Sequence, residues 1–108
     1  AGRPDVAASL NNLAALHVSK GEYDRAQPLY EEALAMRRAS LPAGHLDTAM
    51  SLNNLATLHV SKGEYAPALP LFEEAFTIFR AALPPGHPHI AASLHNLVGV
   101  RRVMCRGT

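Results

Sequence analysis

The sequence is poor in the residues that staple, stack or span. A single cysteine, Cys105, excludes an internal disulfide and any CxxC metal or redox motif. Tryptophan is absent and aromatics make up only 6%, so no stacking platform for nucleic-acid bases is offered. Neither sign of charge dominates. Ten basic and nine acidic residues give a net charge of +1, too little to draw in nucleic acid or an anionic membrane. No apolar run approaches the roughly 20 residues that cross a bilayer, and the start AGRPDV carries no signal-peptide pattern. The expectation is a soluble, cytoplasmic protein with neither nucleic acid nor membrane as partner. What is abundant is alanine (19) and leucine (15), together 34 of the 52 apolar positions in 108 residues. Such small side chains suit closely packed helices better than a sheet core. The length allows one domain with a modest core.

Internal repetition sets the architecture. SLNNLAALHVSKGEY begins at Ser9, SLNNLATLHVSKGEY at Ser51 and SLHNLVGV at Ser93, each 42 residues after the last. Residues 9–42 and 51–84 are identical at 24 of 34 positions. The units run from about 1 to 42, 43 to 84 and, cut short, 85 to 108. The missing initiator methionine and the abrupt end lead us to expect a piece of a longer protein.

Each unit reads as two helices. Leu10, Leu13, Ala14 and His17 fall at i, i+3, i+4 and i+7, one face of a helix. Leu16 and Leu58 lie on its flank and are expected to pack between helices. Asp5 and Asp47 stand near helix starts, where a carboxylate can cap free N–H groups. Lys20-Gly21 and Lys62-Gly63 end the first helices, and Leu41-Pro42-Ala43-Gly44 and Leu83-Pro84-Pro85-Gly86 separate the units. The signals predict five helices over 4–19, 23–40, 46–61, 65–82 and 88–104. Pro28 and Pro70 occupy matching positions inside the second helices and predict the same slight kink in both. Gly99 inside the fifth costs about 1 kcal/mol against alanine, which makes that helix the weakest.

These residues resemble the tetratricopeptide repeat (TPR), a helix–turn–helix unit. Leu10, Leu13-Ala14 and His17 match its first helix, as do Leu52, Leu55-Ala56 and His59, with histidine where the family usually has tyrosine. Gly21, Tyr23, Ala26, Tyr30 and Ala33 match the rest, as do Gly63, Tyr65, Ala68, Phe72 and Ala75. The 42-residue period is similar to the long-repeat branch of kinesin light chains and nephrocystin-like proteins. The resemblance implies an all-α, right-handed α-solenoid of about two and a half repeats. It also implies a non-catalytic adaptor whose first helices line a concave groove for a peptide or partner helix.

Helical geometry names the groove residues. Opposite the core stripe at 100° per residue lie Asn11, Asn12, Ala15 and Ser19; then Asn53, Asn54, Thr57 and Ser61; then His95 and Asn96, with Ala8, Met50, Ala92, Gly99 and Val103 beside them. Amides can hold a peptide backbone whatever its sequence. Asn11 and Asn53 are read as groove-facing, whereas Asn12, Asn54 and Asn96 leave ligand contact and bonding to the neighbouring repeat both open. Residues 97–108 hold Arg101, Arg102 and Arg106 and no acid. Arg102 could grip an acidic or C-terminal carboxylate ligand, or simply suit the negative end of its own helix dipole.

The remaining residues bear on metal binding, catalysis and self-assembly. His45, His87 and His89 make no i, i+4 pair and have no cysteine partner, so no metal or other cofactor is expected. No acid–base pair, phosphate loop or Cys/His constellation suggests an enzyme. The alternative function is a self-assembling unit, a homo-oligomer formed through exposed end helices. Leu97, Val98, Val100, Val103 and Met104 are too apolar for a solvent-facing cap.

Overall fold

The computed structural model describes residues 3–106, with side chains described from Val6 onward. Five helices follow one another: α1 (Arg3–Ser19), α2 (Tyr23–Ser40), α3 (Leu46–Ser61), α4 (Tyr65–Ala82) and α5 (Pro88–Arg106). The three middle helices keep the expected bounds. Helix α5 runs two residues further than expected, because nothing before Gly107 stops it.

Gly21 and Gly63 end the first helices at φ +75° and +78°, the left-handed region where a side chain is strained. The N–H of the following residue, Glu22 or Glu64, then reaches back to the carbonyl of His17 or His59 at 2.8 Å. That bond closes the helix end and starts the next helix within three residues. Pro28 and Pro70 leave α2 and α4 unbroken. Both prolines are exposed, so the carbonyls they deprive of a partner can turn to water.

The expected cap at Asp47 is corrected. Ahead of α3 it is His45 that caps, its Nδ1 accepting the Asp47 backbone N–H at 3.0 Å. His87 does the same for His89 ahead of α5, also at 3.0 Å. The imidazole reaches the same free donor that an aspartate would. The Asp5 side chain lies outside the described residues.

Helices pair α1 with α2 and α3 with α4. Each second helix also packs on the following first helix, α2 on α3 and α4 on α5. The result is an α-solenoid with extents of 46 × 35 × 20 Å. Small residues stand at the crossings: Ala14, Ala26, Ala33, Ala49, Ala56, Ala68 and Ala75 are completely buried. Helix α3, enclosed on both sides, buries Leu52, Leu55 and Leu58.

Its counterpart α1 corrects two expectations. Leu16 is 60% exposed where Leu58 is 1%, and Leu13 is 45% exposed where Leu55 is 6%. These leucines face the side that α2 covers on α3, and among the described residues no helix covers it on α1.

Candidate binding face

The first helices hold the residues read as a groove, but they do not present them equally. On α1, Asn12, Ala15 and Ser19 are exposed, the Ser19 hydroxyl donating to the Leu16 carbonyl at 2.8 Å. On α3, Thr57 and Ser61 are exposed and Asn53 and Asn54 half-buried. The Thr57 hydroxyl donates to the Asn53 carbonyl at 2.8 Å. On α5, His95 and Arg102 are exposed and Asn96 is half-buried.

Asn11 is the exception, and its expected place facing the groove is corrected. The residue is buried, and its Nδ2 donates to Ser51 Oγ on α3 at 3.5 Å. Ser51 Oγ also accepts from Arg37 Nη1 at 3.0 Å, and the same nitrogen donates to the Asp47 carbonyl at 2.9 Å. The Asn11 amide therefore belongs to the contact between first helices. On a flat helical wheel it falls opposite the core, but α1 and α3 meet along that edge.

The residues that do converge line a cleft of about 330 Å³ between α3, α4 and α5. Thr57, His95 and Asn96 form its polar lip. Val60, Tyr65, Phe72, Val100 and Val103 supply its apolar walls, with Phe72 and Val100 almost fully buried behind them. Gly99 opens the cleft further, since a Cβ built there would meet nothing within 4 Å. Sequence reasoning found the lip, Gly99 and Val103. It missed Val60, Tyr65, Phe72 and Val100, whose apolar character marks them as core. Asn12, Ala15 and Ser19 stand on α1, away from this cleft, and Arg102 does not line it.

Electrostatics hold the scaffold together behind the face. His17 Nδ1 meets Glu22 Oε1 at 2.7 Å, and His59 Nδ1 meets Glu64 Oε1 at 2.8 Å, tying each first helix to the start of its second. The hydrogen bond from His17 holds the Glu22 carboxyl below its ordinary range. An ionised carboxylate only accepts, so the His17 Nδ1 carries the proton. Histidine, where the resemblance expects tyrosine, thus supplies an Nδ1 that holds the start of the next helix. Arg38 and Glu74 join α2 to α4 through two parallel bonds of 2.8 Å. Among the described residues, no three His, Cys, Asp or Glu side chains come together, and no helix is long and apolar enough to cross a membrane.

Comparison with known proteins adds to this geometry. The family profile described as tetratricopeptide repeat matches residues 5–81. Two solved structures of nearly identical TPR-like repeats come from a protein of Podosopora anserina designated a kinesin light chain. One, a variant, superimposes with a TM-score of 0.85 at 24% identity, over 98% of this chain and 50% of its own. The other gives a TM-score of 0.84 at 25% identity, over 95% of this chain and 49% of its own. The chain thus spans about half the length of the solved chains it matches. No curated protein matches the sequence.

Proposed function

Since the chain belongs to the tetratricopeptide repeat family, we propose that it works as a non-catalytic protein-interaction module, a kinesin-light-chain-like adaptor whose first helices receive a peptide. TPR repeats are in general protein–protein interaction modules. The cleft between α3, α4 and α5 carries the reading for this chain. An apolar pocket with a few convergent polar groups fits one large apolar side chain, while the lip of Thr57, His95 and Asn96 bonds the backbone around it. The exposed amide of Asn12 and the small Ala15 and Ser19 extend the track along α1. Arg102, beside the cleft on α5, would favour an acidic ligand or a terminal carboxylate. A cytoplasmic location is part of the same proposal.

A random peptide array probed with the intact domain tests this proposal. A Cβ at Gly99 meets nothing within 4 Å, so Gly99→Leu starts its side chain in open space and should fill the cleft. We expect the retained peptides to lose at least about tenfold in affinity, roughly 1.4 kcal/mol, while the thermal midpoint is maintained. An array whose bound peptides are indifferent to Gly99→Leu would move the ligand elsewhere.

A further inference from the structure

Two differences between the repeats fall in one short segment. Arg37-Arg38-Ala39-Ser40-Leu41 closes α2, and its counterpart closing α4 is Phe79-Arg80-Ala81-Ala82-Leu83. The first repeat carries a hydroxyl there and the second does not. Among the serines and threonines of the chain, Ser40 is the one with arginine both two and three residues before it. Its position is open. Ser40 is the last residue of α2 and is exposed, as are Arg38, Ala39 and residues 42–44. The backbone turns extended at Leu41, φ −114° and ψ 153°, a geometry that the following Pro42 favours.

We propose that Ser40 is a phosphorylation site for a basophilic serine kinase, and that its phosphate unlocks the junction of α2 with α3. Such a kinase selects substrates by their charge pattern, bonding the arginines ahead of the serine with carboxylates of its own. In the reaction Ser40 Oγ attacks the γ-phosphorus of magnesium-bound ATP. An Oγ–P bond forms, the bond from that phosphorus to the oxygen bridging to the β-phosphate breaks, and ADP leaves. The hydroxyl proton passes to the aspartate of the kinase. Little has to yield for the segment to be taken up. Arg38 is held by Glu74 in an exposed pair, and the last turn of a helix opens at low free energy. Arg37 is the costlier release, since its Nη1 bonds both Ser51 Oγ and the Asp47 carbonyl.

Those same bonds are what the product attacks. A phosphoserine carries about −1.5 to −2 charges at neutral pH. At Ser40 that charge sits at the negative end of the α2 dipole, which Arg37 and Arg38 otherwise complement. Residues three apart are neighbours on a helix, so the phosphate stands beside Arg37. It offers that guanidinium a charged acceptor in place of a hydroxyl and a carbonyl, and charge-assisted bonds are the stronger. An Arg37 turned toward Ser40 no longer holds α3. The junction of α4 with α5, with Phe79 and Ala82 at these positions, has neither the acceptor nor the lock.

The test incubates the intact protein with ATP, magnesium and the catalytic domain of a protein kinase that requires arginine two and three residues before the serine. One phosphate is expected, mapped to Ser40 by peptide fragmentation, and none in Ser40→Ala. Arg38→Ala should lower kcat/KM at least about tenfold, whereas Arg80→Ala, its counterpart on α4, should leave it unchanged. Residues 37–50 of the phosphorylated protein should then exchange amide hydrogens faster than those of the unmodified protein. The site is overturned if the intact protein takes up no phosphate, even where a free peptide of residues 34–45 does, because the fold then shields the serine. It is overturned too if Ser40→Ala is phosphorylated as fast as wild type. Equal exchange with and without phosphate on Ser40 overturns the unlocking.

Discussion

The junction of α2 with α3 and that of α4 with α5 occupy equivalent places in the repeat, yet they are held by different chemistry. At the first, Arg37 donates to Ser51 Oγ and the Asp47 carbonyl, and Asn11 completes a polar track. At the second, the position of Arg37 is taken by Phe79, 4% exposed. Its ring lies 5.5 Å from that of His89, the residue corresponding to Asp47. Ser93, matching Ser51, is 2% exposed and its Oγ has no partner among the described residues; neither has Asn53 Oδ1. The first junction bonds its serine and leaves Asn11 Oδ1 without a partner among the described residues, whereas the second buries an aromatic ring and leaves both Ser93 Oγ and Asn53 Oδ1 unpaired. A repeat thus preserves where helices meet while changing what holds them.

The largest effect should come from deleting the two unlike side chains. Phe79→Ala removes a buried ring that nothing else can replace, so about 3–5 kcal/mol of stability should be lost. Arg37→Ala removes a partly buried donor and should cost about 1–2 kcal/mol, chiefly by leaving Ser51 Oγ with only the long bond from Asn11 and by taking the side-chain donor from the Asp47 carbonyl. Urea unfolding measures both. Equal losses would mean that the two junctions are energetically alike and that the contrast is only chemical. Hydrogen exchange adds the location: Phe79→Ala should free the α5 amides first, while Arg37→Ala should loosen α1 and α2 against the rest.

The paired serines sharpen the comparison at lower amplitude. Ser51→Ala deletes the shared acceptor of Arg37 and Asn11, and about 1 kcal/mol should be lost. Ser93→Ala deletes a buried hydroxyl that bonds nothing, so it should be neutral or stabilising by up to about 1 kcal/mol. Opposite signs from the same substitution at equivalent positions are the expected readout of paired melting curves. Matching losses would show that Ser93 Oγ has a partner after all.

How far the sequence foretells these differences depends on how local the cause is. The helices and turns are local: Gly21 and Gly63 stop helices through their own backbone, and the 42-residue offset places the rest. The use of Asn11 is not local. Helical spacing correctly sets it opposite the core, but whether that edge is open depends on how closely α3 approaches, which no wheel shows. Leu16 fails for the reverse reason: its flank is apolar, yet the helix that would cover it is not among those described. The exchange of Arg37 for Phe79 is visible as a mismatch in the aligned repeats. Its consequence for Ser93 appears only when the helices are packed. Of the cleft's apolar walls, Tyr65 and Phe72 stand in the repeat pattern and Val100 in the apolar last helix; that Gly99 opens them to solvent depends on the third dimension.

The smallest expected effect concerns charge, and it tests whether the first junction is held from outside as well as within. Arg38 bridges α2 to α4 through Glu74, and the hydrogen bond from its guanidinium holds the Glu74 carboxyl below its ordinary value of 4.5. A carboxyl lowered in the folded state stabilises the fold above the unfolded value, and that contribution is lost as pH falls through the lowered one. Both side chains are 40% or more exposed, so solvent screening limits the pair to well under about 1 kcal/mol. Wild type should therefore lose slightly more stability between about pH 6 and about pH 3 than Glu74→Gln, which has no proton to take up there. Glu22, held low by His17, titrates in the same direction in both proteins and cancels in the difference. Urea midpoints at the two pH values, repeated in high salt, measure the gap, which screening should narrow. If the two proteins follow one pH curve, the Arg38–Glu74 pair contributes nothing measurable, and the first junction rests on Arg37 and its buried track.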